Sequence, residues 1–297
     1  MKMRYEKISI RELCGLFGKS RLAWYDRLRR EEAQVVEYRM VLDMVQLIRE
    51  ELPQAGTPML YRILKPKLAM LEIKMGRTAL HRLLLENGLT LRRKRARYPK
   101  TTDSKHWLKK WPNLIRDLEP LRPLHVWVAD ITYLRLQDDD FCFLSLLTDA
   151  YSKLVVGWCL NPSLCHRGPL QALNMALETF PERKDELIHH SDRGSQYCSK
   201  AYVDCLQKHG VSISMTENKD PYENPIAERI NGTMKNYLGL NQRFPSLETA
   251  RAATADKIRI YNQVKPHSSC DYLTPMEAHQ NTGPMKQWWR KNNPLTE

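Results

Sequence analysis

The feature that most constrains the fold is an apolar run with a single carboxylate inside it. Residues 126–136 read Val-Trp-Val-Ala-Asp-Ile-Thr-Tyr-Leu-Arg-Leu, and Asp130 is the acidic position. β-Branched and aromatic residues are enriched in strands, so we expect this run to be a buried strand. A buried carboxylate is costly unless another group compensates its charge. Asp130 is therefore a candidate functional residue.

The segments after this run alternate between strand-like and helix-like patterns. Two more strands are predicted at hairpin distance, over residues 141–147 and 154–160. The remaining predicted elements are a helix over 168–180, a strand over 187–190, a helix over 200–209, a strand over 211–214, and a helix that starts with Asn224 as N-cap and Pro225 at its first position. Three strands followed by alternating helix and strand is the order of the ribonuclease-H-like fold. We therefore predict an α/β domain with a mixed five-stranded sheet and helices.

Two further carboxylates belong to the same set as Asp130. Asp192 follows the fourth predicted strand, and Glu228 lies just inside the helix that starts at Asn224, with 35 residues between the two acidic positions (228 − 192 − 1). Carboxylates that come from two strands and a helix can hold two divalent cations about 3.5–4 Å apart. Such a pair of ions promotes phosphodiester chemistry. Asp149 is also acidic and near a strand end, but its sequence context is typical of a turn.

Charge is unevenly distributed along the chain. Residues 1–110 contain 26 Lys+Arg and 12 Asp+Glu, a net charge of +14. The remaining residues contain 21 and 22, a net charge of −1, which accounts for the total of +13. A strongly basic front half beside a nearly neutral half indicates that the front half binds a polyanion.

The first part of the basic half has the outline of a helix-turn-helix. Ser9 and Glu12 fit a capping box, and Gly18-Lys19 predicts a turn before a second helix from Arg21 to about Arg30. That second helix would present three residues to a DNA groove: Arg21, Tyr25 and Arg29. An ordinary helical hairpin is the alternative interpretation.

A second helical module and a basic segment follow. Pro53 ends one helix, Thr57-Pro58 starts the next, and a third helix opens at Arg77, where Arg77 and Arg82 are DNA-binding candidates. Five of the six residues from 92 to 97 are cationic, namely Arg92, Arg93, Lys94, Arg95 and Arg97. We interpret them as an arm that binds DNA phosphates, although such runs are often only solvated linkers.

These patterns give five predicted parts: a helix-turn-helix at 1–35, a second helical DNA-binding module at 36–90, a basic linker at 91–120, a catalytic core at 121–283 and a C-terminal tail at 284–297. The seven cysteines are scattered singly, which favours reduced thiols over disulfides or a zinc site. No long apolar stretch or secretory leader is apparent, so we expect a cytoplasmic, nucleoid-associated protein with no membrane partner.

Three acidic blocks resemble those of a known family. They are residues 127–133 (WVADITY), 190–197 (HSDRGSQY) and 221–229 (PYENPIAER), and residues 261–267 (YNQVKPH) with Thr274-Pro275 resemble the same family's C-terminal signature. The family is the insertion-sequence-three transposases, which belong with retroviral integrases in the DDE superfamily. The resemblance covers residues 8–280, including the helical front end. Glu223 and Lys265 depart from the residues that are common at their positions, and neither belongs to the acidic set.

The resemblance implies a function and a site. The chain would use Mg²⁺ or Mn²⁺, two ions per active site, to cut the ends of its own mobile element and join them to DNA. Asp130, Asp192 and Glu228 would be the catalytic metal ligands, and Lys235, on the same helical face as Glu228, would contact the DNA end. The implied partners are double-stranded DNA (terminal inverted repeats and target), further copies of the chain in a homo-oligomer, and the product of an upstream reading frame as a fusion.

Three other functions remain open from the sequence. A DNA-binding regulator derived from a transposase would keep the fold without the chemistry. A ribonuclease H would cut RNA–DNA hybrids, although the helical front end disfavours it. A binding module would hold DNA without metal and release no product.

Overall fold

The computed structural model describes residues 9–91, 107–137, 140–181, 186–217 and 223–286. The chain divides into two compact units. The first unit comprises Met1–Glu50 and Ala55–Arg93, and the second comprises Glu51–Gln54 and Lys94–Glu297. The basic residues 92–97 and most of the predicted C-terminal tail lie outside the described residues.

The described part of the first unit is helical. Its helices are α1 (Ile10–Leu16), α2 (Arg21–Glu51), α3 (Thr57–Met70) and α4 (Arg77–Glu86). The predicted capping box is confirmed, since the Ser9 side chain accepts a hydrogen bond from the Glu12 backbone and the Glu12 side chain accepts one from the Ser9 backbone. Gly18 adopts a φ of 62° in the turn before α2, a conformation that favours glycine.

Helix α2 is longer than the second helix that the sequence predicts for the front end. The helix does not end near Arg30 but continues for 31 residues to Glu51. Neither Gly nor Pro interrupts residues 21–52, so no residue there breaks the helix, and Pro53 ends it as predicted. The proposed domain boundary between residues 35 and 36 lies inside this helix, so the division of the DNA-binding region remains a prediction.

The core of the first unit lies where α2, α3 and α4 bury their leucines and valines. Val41 and Val45 are buried on α2, and Leu80, Leu83 and Leu84 are buried on α4. On α3 the buried positions recur every four residues, at Leu60, Leu64 and Leu68. Thr57 is the first residue of α3 and not its cap, because Gly56 occupies that position.

The second unit is built on one mixed sheet. Its strands are β1 (Val126–Leu136), β2 (Phe141–Asp149), β3 (Val155–Asn161), β4 (Ile188–Ser191), β5 (Ser212–Met215) and β6 (Arg243–Phe244). The order is β3-β2-β1-β4-β5, with β6 paired to β1. The pairs β1–β2 and β2–β3 are antiparallel, whereas β1–β4 and β4–β5 are parallel. The five predicted strands are confirmed, and the two-residue β6 was not predicted.

Helices cover the sheet and supply the core. They are α5 (Arg167–Thr179), α6 (Lys200–Lys208), α7 (Pro225–Gly232), α8 (Leu247–Gln263) and α9 (Pro275–Ala278), and a π-helical turn, Thr233–Tyr237, follows α7. Trp127 of β1, Leu173 of α5 and Tyr202 of α6 are buried in one apolar cluster. Gly157 on β3 permits the close approach of α5, because a Cβ there would lie 2.1 Å from the carbonyl oxygen of Ala172.

Asp149 is a turn residue, as predicted. One carboxyl oxygen accepts hydrogen bonds from the backbone amides of Tyr151 and Ser152, at 3.1 and 2.8 Å, and the other accepts from the amide of Leu124 at 2.7 Å. These bonds shape the turn from β2 to β3 and fix the start of β1. All seven cysteines are free thiols. In the part of the chain that the structure describes, no helix is both long and apolar enough to span a bilayer.

Candidate active site

Asp130 sits in the middle of β1, the central strand of the sheet. Pairing with β4 involves residues 126–128 and stops before Asp130. One carboxyl oxygen, Oδ1, accepts a hydrogen bond from the backbone amide of Ile131 at 2.8 Å. The other, Oδ2, accepts one from the side-chain amide of Asn231 at 2.7 Å. Strand β1 and helix α7 are thus joined at this carboxyl group.

Asp192 is the residue directly after β4. Strand β4 pairs with β1, and Asp192 lies just beyond the end of that pairing. Its Oδ1 accepts a hydrogen bond from the backbone amide of Gly194 at 2.9 Å. A Cβ at position 194 would lie 3.0 Å from the same oxygen. A side chain at position 194 would therefore crowd the Asp192 carboxyl group, and glycine leaves room for it.

Glu228 lies in the first turn of α7 and is exposed. Two contacts fix the start of this helix. The Asn224 side-chain amide donates to the carbonyl oxygen of Ala129 at 3.0 Å, and His190 Nε2 lies 3.1 Å from the carbonyl oxygen of Glu223. Asn224 occupies the predicted N-cap position, but its side chain does not cap the helix. It binds β1 instead, next to Asp130.

His190, which lies on β4, also contacts β5. Its Nδ1 lies 2.8 Å from the hydroxyl of Ser214 on β5. Because a carbonyl oxygen only accepts, Nε2 carries the proton, and the Ser214 hydroxyl donates to Nδ1. Burial lowers the pKa of His190 to about 4, although the contact with Glu223 opposes that shift, so the ring is neutral near pH 7. His190 therefore orients the segment that leads into α7.

The carboxyl groups influence each other electrostatically. The pKa of Asp130 is raised from 3.8 to about 7, first by burial and then by the negative charge of Asp192, with a smaller effect from Glu228. The bonds from Ile131 and Asn231 oppose this rise. Partial burial also raises the pKa of Glu228. Without a nearby cation, Asp130 is thus poorly stabilised as a carboxylate.

The side chains of the three carboxylates are not close enough together to bind one metal ion. Among the residues that the structure describes, no three His, Cys, Asp or Glu side chains lie close enough together to hold one ion. Glu228 raises the pKa of Asp130 less than Asp192 does. The donor types still fit a hard divalent cation, because carboxylate oxygens are its preferred ligands and its charge would stabilise ionised Asp130. The metal assignment stays a prediction.

Lys235 is buried rather than presented on the surface. Its ammonium lies 3.2 Å from the Thr132 hydroxyl and 3.9 Å from the centre of the Tyr133 ring. Burial and the charge of Arg135 lower its pKa to about 8, while Asp130 opposes the shift. A single regular α-helix does not run from Glu228 to Lys235, because α7 ends at Gly232 and Lys235 lies in the π-helical turn that follows. A role at the DNA end stays a prediction.

The other DNA-binding candidates are exposed where they are described. On α2 these are Arg21, Tyr25 and Arg29, and on α4 they are Arg77 and Arg82. The four-residue spacing of Trp24 and Leu28 on α2 predicts that both face a core, but Leu28 is exposed. The five cations of the basic arm, Arg92, Arg93, Lys94, Arg95 and Arg97, lie outside the described residues, so their role also stays a prediction.

Sequence reasoning missed Asn231, whose amide is bonded to Asp130. Two signals point to it: it follows Glu228 by three residues, so both share a helical face, and it is a polar residue between the apolar positions of α7. Sequence reasoning also took Asn224 only as a helix cap. No sequence signal distinguishes a capping Asn from one that binds a neighbouring strand.

Comparisons with known proteins identify the family of the chain. Two family models, both described as an integrase core domain, match residues 120–221 and 209–275. A 31 kDa protein of insertion element IS600 from Shigella sonnei is 32% identical over 267 residues, covering 89% of this chain and 96% of the relative. Transposase InsF of insertion sequence IS3A from Escherichia coli K12 is 29% identical over 91% of this chain and 93% of the relative.

Among solved structures, the HTLV-2 integrase catalytic core domain, determined in complex with magnesium, is 18% identical to this chain. The structural alignment covers 54% of this chain and 99% of that domain, with a TM-score of 0.43. The family assignment depends on the sequence relatives and on the two integrase-core matches, which together span the sheet and all three carboxylates. The chain belongs to the insertion-sequence-three family of transposases, with a ribonuclease-H-like integrase core of the DDE type.

Proposed function

We propose that this chain cuts the ends of its own insertion element and joins them to DNA, with Asp130, Asp192 and Glu228 as the catalytic metal ligands. The observation that carries the assignment is the environment of Asp130. A carboxyl group is held at the centre of the sheet, beside Asp192, where its pKa is raised to about 7. Fold stability alone gives no reason for that arrangement, because burying like charges together costs free energy.

The chain's own residues prepare the site for a cation and a phosphate. Asn231 and the Ile131 amide fix the orientation of the Asp130 carboxyl group. The Gly194 amide does the same for Asp192, and Asn224 and His190 fix the start of the Glu228 helix. Two bound Mg²⁺ or Mn²⁺ ions would supply the chemistry, by lowering the pKa of a water or 3′-hydroxyl and stabilising the leaving oxygen.

The DNA partner follows from the family and from the charge of the front half. We infer that double-stranded element ends bind the basic helical region, and that exposed Arg21, Arg29 and Arg77 contribute. Lys235 would reach a DNA end only by leaving the ring of Tyr133. Paired ends call for at least two copies of the chain, and an upstream-frame fusion would add further DNA contacts. We also keep the predicted division into a basic DNA-binding region and a catalytic core at 121–283.

The assignment is tested by strand transfer of labelled element ends in Mg²⁺. Asp192→Asn keeps the size of the side chain but removes its charge, and we expect product formation to fall by roughly a thousandfold or more. Asp204→Asn is the matched control, because Asp204 is an exposed residue on α6 paired with Lys200. It should transfer as well as the parent.

Two results would reject the assignment. Undiminished strand transfer by Asp192→Asn would remove that residue from the catalytic set. Metal-independent binding of element ends with no product from the parent would favour a DNA-binding regulator instead.

A further inference from the structure

Residues 107–115 cross the edge of the sheet before the chain enters β1. Trp111 packs against the apolar cluster that contains Ala129, whereas Ile115 packs against the cluster that contains Val128. Adjacent residues of a strand point to opposite faces of the sheet, so these two clusters lie on opposite sides of β1. The segment therefore passes from one face of the sheet to the other between Trp111 and Ile115.

The crossing lies at the carboxyl end of β5, next to Asp192. The Met215 amide donates a hydrogen bond to the carbonyl oxygen of Pro112 at 3.2 Å. Met215 is the last residue of β5 and pairs with Ser191, the last residue of β4. Asp192 follows Ser191 directly, and neighbouring strands are about 4.8 Å apart. The crossing and Asp192 thus lie at the same end of two paired strands.

The charge of the crossing segment acts on the surroundings of Asp192. The pKa of the Cys198 thiol is raised to about 11, first by burial and then by the charge of Asp192, while the charges of Lys110 and Arg193 oppose the rise. Lys110 and Asp192 are thus both close enough to Cys198 to act on its thiol. This agrees with the position of the crossing beside the second acidic block.

Two exposed lysines, Lys109 and Lys110, give the segment its positive charge. The Lys109 ammonium lies 4.2 Å from the centre of the Trp111 ring, a contact that does not neutralise its charge. Among the residues that the structure describes, neither lysine forms an ion pair. The carboxylate of Glu217, which also contacts this segment, is paired with Arg116. An anion therefore suits the exposed side of the segment.

Trp107 adds an aromatic surface to these cations. Its side chain is 92% exposed, so almost the whole indole ring is in contact with water. An exposed apolar surface of this size gains free energy when a partner covers it. Residues 107–111 read Trp-Leu-Lys-Lys-Trp. Proteins that bind single-stranded nucleic acid combine such groups, because cations contact the backbone and aromatic rings stack on the bases.

We propose that residues 107–111 bind unpaired DNA beside the acidic site, with Trp107 stacked on a base and Lys109 and Lys110 in contact with phosphates. Bases inside a duplex are already stacked on one another, so the indole ring has access only to an unpaired base. The identification of the strand as DNA rests on the proposed function, whereas the preference for a base and a phosphate follows from the segment itself. Nucleotides bound there would keep the adjoining phosphodiester near Asp192.

The stacking contact is tested by equilibrium titration of the full-length protein without divalent metal, followed by fluorescence anisotropy. The probes are a labelled oligodeoxythymidine of about 12 nucleotides and an abasic strand of the same length. Trp107 is exposed, so Trp107→Ala should fold normally, and we expect it to weaken oligodeoxythymidine binding at least about fivefold. Its affinity for the abasic strand should stay within about twofold of the parent's, because that strand has no base to stack. Trp107→Tyr keeps an aromatic ring and should restore most of the lost affinity.

The phosphate contact is tested by the salt dependence of the same titrations. Lys110→Gln should weaken the binding of both probes, because both contain the phosphates. The slope of log K against log salt should fall by about 0.7, the value for one contact on a single strand. The matched control is Lys208→Gln, which removes an exposed cation on α6 and should leave the slope unchanged.

Each part of the proposal can be overturned separately. Oligodeoxythymidine binding by Trp107→Ala at the parent's affinity, or equal weakening of both probes, would exclude the stacking contact. Equal slopes for Lys110→Gln and the parent would exclude the phosphate contact. Tighter binding of oligouridine than of oligodeoxythymidine would exclude DNA as the strand. Because these titrations involve neither metal nor cleavage, they can fail while the Asp192→Asn test of catalysis succeeds, and the reverse.

Discussion

At the residue scale, Asp130 has an environment that opposes its own charge. Its carboxyl group is fixed by two donors but is buried next to Asp192. Native proteins retain such unfavourable groups where function needs them, at a cost in stability. The raised pKa makes this cost measurable as a dependence of stability on pH.

Replacing Asp130 by Asn should stabilise the metal-free protein at high pH. The folded-state pKa of about 7 lies above the usual value of 3.8, so folding favours the protonated form, and this favourable contribution is lost as the pH rises from about 4 through 7. We expect Asp130→Asn to exceed the parent at pH 8 by on the order of 1 kcal/mol in the free energy of unfolding, with a smaller difference at pH 4. Urea denaturation at both pH values measures it. A variant that is less stable than the parent at pH 8 would contradict this prediction.

Asn231 should matter for catalysis as a positioning residue. Asn231→Ala removes the 2.7 Å hydrogen bond to Asp130 Oδ2, and supporting bonds of this kind typically contribute about 10–100-fold to metal affinity or activity. We expect end cleavage to slow by that factor while the protein stays folded. The control is Asn174→Ala, which changes an exposed amide on α5. Equal cleavage rates for both variants would exclude the positioning role.

At the element scale, close packing places the catalytic strands. Strand β3 and helix α5 approach through Gly157, where a Cβ would clash with the carbonyl oxygen of Ala172. That approach helps to hold β2 and β3 against the strand that carries Asp130. The position of β3 at the edge of the sheet thus depends on the absence of a side chain at Gly157.

Gly157→Ala should destabilise the second unit by roughly 2–3 kcal/mol, because the added methyl group requires α5 to shift. Gly232→Ala is the matched control. No atom lies within 4 Å of its Cβ position and its φ is helical, so it should be neutral or stabilise the protein by about 0.5–1 kcal/mol. Thermal unfolding measures both variants. Similar melting temperatures for the two would refute the packing explanation.

The strands and most helices were predictable from the sequence, and the exceptions have physical causes. β1 was predicted with its observed bounds because it is rich in β-branched, aromatic and other apolar residues. The length of α2 was missed because a cap and a turn mark where a helix starts, whereas only the absence of Gly and Pro shows how far it continues. The π-helical turn that carries the buried Lys235 was not predicted, because it has no local sequence signal. The contacts of Asn231 with Asp130 and of His190 with Glu223 were not predicted, because each joins residues that are far apart in the sequence.

At the scale of the whole molecule, the excess positive charge and the three carboxylates lie in different parts of the sequence. The front half carries a net charge of +14 and the remainder −1, although the three carboxylates that we propose as metal ligands are all in the remainder. Salt weakens phosphate contacts more than it weakens buried contacts. Polyanion binding can therefore depend on salt concentration more strongly than catalysis does. We therefore expect DNA affinity to be more sensitive to salt than to metal.

Replacing the five basic-arm cations (Arg92, Arg93, Lys94, Arg95 and Arg97) by Gln should weaken DNA binding and flatten its salt dependence. Each lost phosphate contact lowers the slope of log K against log salt by about 0.9, so the slope should fall by up to roughly 4. Fluorescence anisotropy with labelled element ends at several salt concentrations measures it. The control replaces Lys200 and Lys208, exposed on α6, by Gln. An unchanged slope in the five-residue variant would show that the arm does not contact phosphates.

Divalent-metal affinity, measured by electron paramagnetic resonance of Mn²⁺, tests the central claim most directly. The parent protein should bind Mn²⁺ more tightly at pH 8 than at pH 6, because Asp130 must lose its proton and its pKa is about 7. Asp130→Asn should reduce the affinity at least about tenfold, whereas Asp204→Asn should leave it unchanged. Mn²⁺ binding by Asp130→Asn at the parent's affinity would contradict the account.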